Sequence, residues 1–217
     1  NANNIEVQLA DVERLANDYL RQSAENLQNK NRPRSQNSAE DIAFRHIQAT
    51  INIDGVERST TNSEGKPIAQ TEEGIRNFWQ WFGDSKVVDA EGRPMVVYHG
   101  AQRGNGNFTI FRQNSHFGTK EQAKNRARGG KLIPVYLKIT NPKTTYDMFN
   151  TPRAWDAAVD YAKSQGYDGL FYNNQVEGDG ISYVSFSPTQ IKSATGNTGA
   201  FDPNSNDIRF RTVNESG

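Results

Sequence analysis

Apolar residues recur along this chain in two rhythms, a helical one and an alternating one. Ile5, Leu9, Val12, Ala16 and Tyr19 step by four and three behind Asn4 as a cap, which predicts a first helix whose stripe serves as a docking face. Residues 26–38 are almost wholly polar and read as a linker. Residues 39–48 predict a short helix carrying Ile42 and Ile47, with His46 as a surface or packing residue. Ile51-Asn52-Ile53-Asp54-Gly55-Val56 alternates around Asp-Gly, the pattern of a strand entering a tight turn. Thr71 then caps a helix with Glu72 and Glu73 in its first turn, where they suit the dipole. Ile75, Phe78, Trp79 and Phe82 share one face of that helix and read as core, and Gly83 ends it.

The alternating rhythm dominates afterwards. Val87-Val88 and a turn at 89–94 lead to Val96-Val97-Tyr98-His99-Gly100, a buried strand that delivers an imidazole at its end. A Gly/Asn loop spans 101–107, and Phe108-Thr109-Ile110-Phe111 predicts a short half-buried strand. Thr119 with Gln122 fits a capping box, so a helix runs from there to about Arg128, stopped by Gly129-Gly130. Residues 133–139 form a strong strand with Val135, Leu137 and Ile139 on one face, terminated at Asn141-Pro142. Thr151 and Pro152 open a helix whose buried stripe is Trp155, Ala158, Val159 and Ala162, closed by Gly166. Leu170-Phe171-Tyr172 and residues 181–186 are strands, separated by a polar loop at 173–180 that carries Glu177 and Asp179. The tail from Thr195 is polar and is expected to be ordered only where it docks. Short strands with a few interspersed helices make the fold class α+β. The expected division is a helical N-terminal extension at 1–50, a core domain at 51–195 and a polar tail at 196–217.

Composition narrows the chemistry. The 217 residues carry no net charge, so nothing global draws the chain to nucleic acid or an anionic membrane. There is no Cys, which excludes disulfides and thiolate-ligated zinc, and three dispersed His do not suggest a structural metal. No apolar run approaches the ~18 residues of a membrane helix. The chain begins at Asn1 with no signal pattern, as expected of a piece of a longer polypeptide. The cluster Lys120, Lys124, Arg126, Arg128 and Lys131 reads as a solvated helix face, and Tyr98, Tyr136 and Tyr183 as sheet packing.

The order of short motifs carries a resemblance. It runs through Phe82-Gly83-Asp84-Ser85-Lys86-Val87-Val88, Val97-Tyr98-His99-Gly100, His116-Phe117-Gly118-Thr119, Pro134-Val135-Tyr136-Leu137, Gly166-Tyr167-Asp168-Gly169 and Tyr183-Val184-Ser185-Phe186-Ser187-Pro188. Gln190-Ile191-Lys192-Ser193-Ala194 and Phe201-Asp202-Pro203 complete it. From about Thr71 to Asp207 this resembles the ADP-ribosyltransferase domains of phage and mobile-element polyvalent proteins, in the diphtheria-toxin/PARP-like branch. The resemblance implies a split, clam-like pair of small antiparallel sheets with NAD, as substrate, in the cleft between them. It implies that His99 holds the adenosine ribose and that the Gly100 backbone grips the nicotinamide amide. His116 stands where the family has a stacking tyrosine, with Phe117 beside it. Ser182, not a glutamate, precedes Tyr183-Val184, so the catalytic carboxylate falls to Glu177 or Asp179. Glu177 is preferred, because Gln175-Val176-Glu177 resembles the Gln-x-Glu signature in which the Gln receives the acceptor.

The chemistry fits these residue types. Cleaving the nicotinamide–ribose bond builds positive charge on the ribose, which a carboxylate stabilises. The pyrophosphate needs cations or N–H groups: Arg103, Arg112 and Lys120 lie near in sequence, and Thr119 opens a helix whose N-terminus could face a phosphate. No metal is required. The implied activity is mono-ADP-ribosyl transfer to a host macromolecule, a protein first and nucleic acid second, in the host bacterial cytoplasm or delivered with phage or mobile DNA, by a chain that is monomeric by default. An NAD glycohydrolase is its near neighbour. Two readings from other classes stand beside it: a metal-free ribonuclease with His99 and His116 as acid and base, and a non-catalytic binding or virion-associated domain.

Overall fold

In the computed structural model the chain divides into two units, residues 1–38 and 39–217. The structure describes residues 49–103, 109–149 and 151–209. The two helices expected before residue 49, and the linker between them, lie outside the described residues. No helix among the described residues is long and apolar enough to cross a membrane.

The first elements are a hairpin and a helix. Strands β1 (Thr50–Ile53) and β2 (Val56–Ser59) pair antiparallel across Asp54 and Gly55, both at positive φ (51° and 84°), the two-residue turn that Asp-Gly favours. Helix α1 (Glu72–Phe82) begins where Thr71 Oγ1 accepts a hydrogen bond from the Gly74 N–H and ends at Gly83 (φ 56°). Its buried face gains Trp81, which the sequence reading omitted, besides Ile75, Phe78, Trp79 and Phe82. Phe78 stands edge-on to Tyr136 and Phe201, at 4.9 and 5.1 Å between ring centroids. Both Trp N–H groups are spent on backbone carbonyls, Trp79 on Ser59 and Trp81 on Thr189. The aromatic residues of α1 are therefore core, as expected.

Two sheets follow. One has the order β3 (Val97–Ala101), β5 (Lys131–Leu137), β9 (Ile191–Ser193), all antiparallel. The other has the order β4 (Ser115–Phe117), β8 (Ile181–Ser185), β7 (Gly169–Asn173), β6 (Pro142–Thr145). Tyr98 and Gly118 exchange both backbone hydrogen bonds (2.9 and 3.0 Å), which ties β3 to the end of β4 and joins the two sheets. Helix α2 (Lys120–Ala127) starts on the expected capping box of Thr119 and Gln122 and closes at Arg128, in the left-handed region (φ 48°). Helix α3 (Pro152–Ser164) buries Val159 and Ala162 against β7 and β8; Thr151 is its N-cap by position, but its side chain makes no capping bond.

Three departures from the sequence reading have physical causes. β6 runs parallel to β7, so the second sheet is mixed rather than wholly antiparallel. Its sequence, Pro142-Lys143-Thr144-Thr145, lacks an apolar face, because it is an edge strand opened by a proline that needs no partner for a missing N–H. The strand expected at 108–111 reduces to one bridge, Ile110 with Asp207; Ile110 is exposed and Phe111 buried, and Phe108 is outside the described residues. The tail is docked through residue 209: Phe201 and Ile208 are buried, and the Ile208 N–H donates to the Thr109 carbonyl.

Candidate active site

One cleft of about 620 Å³ opens where the two sheets meet. β3 contributes Tyr98, His99 and Gly100 to its wall, and β4 contributes His116 and Phe117. α2 adds Gln122, Ala123 and Arg126, α3 adds Trp155, and the β7–β8 loop adds Asn174, Val176 and Glu177. Small residues let the walls approach. A Cβ on Gly100 would fall on the Ala123 carbonyl oxygen, and one on Gly118 would fall on the Gln122 side-chain oxygen. Val97 and His99, two residues apart on β3, share one face of the sheet: Val97 lies in the core with Phe111 and Phe117, and His99, next along that face, packs on the same two rings at the cleft wall.

The imidazoles are held from behind. His99 Nδ1 lies 2.8 Å from the His116 carbonyl oxygen, which can only accept, so Nδ1 carries the proton. Phe111 and Phe117 pack on the His99 ring at 5.1 and 5.6 Å. His116 Nδ1 meets the Tyr172 hydroxyl at 3.1 Å, and the Trp155 ring stands edge-on to it at 4.8 Å. Burial lowers the His99 pKa, with the Arg126 charge adding to it against the His116 carbonyl. At His116, burial, then Arg126, then His99 push the value down to about 4, with Asp147 opposing. Both rings are thus neutral at pH 7.

This sets a pH dependence. An unfolded His takes a proton below about 6.5, whereas folded His116 resists until about 4, so in that window the unfolded state binds more protons. Stability is full above the window and falls as pH drops through it. The thermal midpoint is expected to decline between pH 6.5 and 4, and less steeply in His116→Gln. An equal slope in that variant would show that His116 is not held neutral.

The two loop carboxylates part company. Glu177 lines the cleft; its side chain is 21% exposed, one oxygen accepts from Asn174 Nδ2 at 2.9 Å, and the other lies 3.9 Å from the Arg126 guanidinium. Asp179 is outside the cleft lining and offers its carbonyl to Gln122 Nε2 at 3.2 Å. Gln175, exposed, also lies outside the lining, and its backbone N–H donates to Asp147. Of the cations, Arg112 lines the cleft, while Arg103 donates to the Gly129 carbonyl at 3.3 Å and is not in the wall. Thr119 and Lys120 face a smaller cavity of about 320 Å³ beside Met95 and Tyr183 and are not among the residues that line the main cleft. Among the described residues, no group of three or more His, Asp or Glu side chains is placed to hold a metal ion.

Sequence reasoning missed Arg126, Trp155, Tyr172 and Asn174 as wall residues. In sequence Arg126 belongs to a solvated helix face, Trp155 to a buried helical stripe and Tyr172 to a strand with no further role. Asn174 had a signal: an Asn followed at the second and third positions by residues whose N–H groups its side chain accepts, here Val176 and Glu177.

A family model described as ADP-Ribosyltransferase in polyvalent proteins matches residues 89–201, just over half the chain, a range that contains every residue of the cleft wall. No curated protein and no solved structure matches the chain. With its α+β fold and a cleft at the joint of two small sheets, the chain belongs to the ADP-ribosyltransferase family of polyvalent proteins.

Proposed function

We propose that this domain is an NAD-dependent mono-ADP-ribosyltransferase acting on a host macromolecule, a protein, in the bacterial cytoplasm. In the reaction the nicotinamide–ribose C–N bond breaks, nicotinamide leaves with the electron pair, and an acceptor nucleophile bonds to the same ribose carbon and gives up a proton. Glu177 stabilises the positive charge that grows on the ribose and helps remove that proton. His99, neutral and oriented by the His116 carbonyl, meets the ribose, and the Gly100 backbone meets the nicotinamide amide. His116 and Phe117 supply the aromatic wall, which Trp155 extends. Arg112, with Arg126, suits the pyrophosphate. Thr119, expected at the phosphate, acts instead through the α2 cap. Gln175, exposed and two residues before Glu177, suits an acceptor arriving from solvent.

The observation that carries the reading is the convergence of His99, His116 and Glu177, from three separate segments, on one cleft within the family match. A two-histidine ribonuclease is disfavoured, because it needs one imidazolium near neutral pH, and burial lowers both values. The test is incubation with labelled NAD and a bacterial lysate. Label on discrete protein bands is the expected result. Nicotinamide release without label would make the domain a glycohydrolase with water as acceptor, and neither release nor label from folded protein would overturn the reading.

A further inference from the structure

A glutamate on a polar loop has three free torsions, yet stabilising a transition state requires its carboxylate to be held in one place. We propose that Asn174 is the positioning residue that aims Glu177, through a hydrogen-bonded chain anchored on α2 by Ser182 and Gln122. The proposal rests on the reading of Glu177 as the reaction's carboxylate.

The direction of every bond in that chain is forced. The Thr119 N–H donates to Gln122 Oε1 at 2.8 Å, so the Gln122 amide nitrogen must face the other way, where it donates to the Gly178, Asp179 and Gly180 carbonyls. Gln122 Oε1 also accepts from the Ser182 hydroxyl at 3.0 Å, which leaves the Ser182 oxygen to accept from Asn174 Nδ2 at 3.0 Å. Asn174 Oδ1 accepts the Val176 and Glu177 N–H groups at 2.9 and 2.8 Å, so its orientation is set independently of the first three bonds. Its nitrogen therefore presents a donor to Glu177 at 2.9 Å. Asn174, Ser182 and Gln122 are all buried, so their geometry is fixed by packing. Asn125, also on α2, donates to the Glu177 carbonyl at 2.6 Å and ties the backbone beneath the carboxylate.

Asn174 thus does two separable things. Its oxygen shapes the loop, and its nitrogen aims the carboxylate. Asn174→Asp divides them: an Asp oxygen still accepts the two loop N–H groups, but the donor becomes a second anionic oxygen facing Glu177. The measurement is nicotinamide release from NAD, with kcat and KM separated and folding followed by thermal unfolding. Asn174→Asp is expected to fold, to keep KM for NAD within about twofold, and to lose about 10- to 100-fold in kcat, the worth of one hydrogen bond to a charged group. A purely structural Asn174 would give an Asp variant of wild-type kcat, and that result overturns the proposal. If the Asp variant does not fold, Ser182→Ala removes only the anchor behind Asn174 and is expected to lower kcat about threefold to tenfold at unchanged KM; wild-type kcat there also overturns it. Glu177→Gln, run in parallel, separates the two levels. A wild-type chain that releases no nicotinamide sinks the functional reading itself, a fully active Glu177→Gln removes Glu177 as the reaction's carboxylate and this proposal with it, and an inactive Glu177→Gln beside a fully active Asn174→Asp sinks this proposal alone.

Discussion

Glu177→Gln is expected to cut nicotinamide release from NAD by roughly 10²- to 10³-fold, in kcat rather than KM, with the fold intact. The amide is nearly the same size as the carboxylate, and its oxygen can still accept from Asn174 Nδ2, so the side chain keeps its place. What is lost is the charge, which matters only as the ribose becomes cationic. Nothing in the core depends on it: Glu177 sits on a loop, and Arg126, whose side chain is 58% exposed, is left to water rather than buried unpaired. Thermal unfolding should shift little. Asp179→Asn is the matched control and should remain active, because Asp179 is not among the cleft-lining residues. The reverse pattern, an inactive Asp179→Asn and an active Glu177→Gln, would move the catalytic carboxylate to Asp179.

Gly100→Ala is the second large effect and acts through space rather than charge. Gly100 pairs with Leu132 across β3 and β5, with α2 laid directly over it. The added methyl would fall on the Ala123 carbonyl and come within 2.9 Å of the Ala127 nitrogen. Both are helix backbone, which cannot swing aside as a side-chain end can, so α2 must move off the sheet. Overpacking of this kind costs about 1–3 kcal/mol, or roughly 3–10 °C in the thermal midpoint for a chain of this size. The same shift would carry Gln122, Ala123 and Arg126 away from the cleft and pull on the loop that Gln122 and Asn125 hold. NAD affinity, by calorimetry, should fall by about tenfold or more, since the ligand site and the helix move together. A variant with wild-type melting and affinity would mean that α2 tolerates the displacement and that Gly100 is not a constraint on the cleft.

Much of this molecule is written locally. Thr71 before two glutamates, Thr119 three residues before Gln122, Gly83 after an aromatic stripe and Asp54-Gly55 between alternating residues each specify a helix end or a turn through bonds made within a few positions. Those signals hold whatever the rest of the chain does, and they set the α+β pattern and the strand that carries His99. Order along the chain likewise sufficed for the family. Other features depended on partners far away in sequence. β6 has no pattern of its own and is a strand only because β7 offers it an edge. Trp155 follows the apolar stripe of α3 yet turns to His116, brought there by β4. Arg126 looks like any exposed helix charge until the β7–β8 loop sets Glu177 near it. Whether Glu177 or Asp179 faces the cleft, and that Thr119 and Gln175 lie outside its lining, follows from Gln122 and Asn174 gripping that loop from opposite ends. The sequence alone determined most of the elements and the family; the tertiary structure made β6 a strand and decided which side chains share the cleft, because hydrogen bonds across more than fifty residues exist only once the two sheets have met.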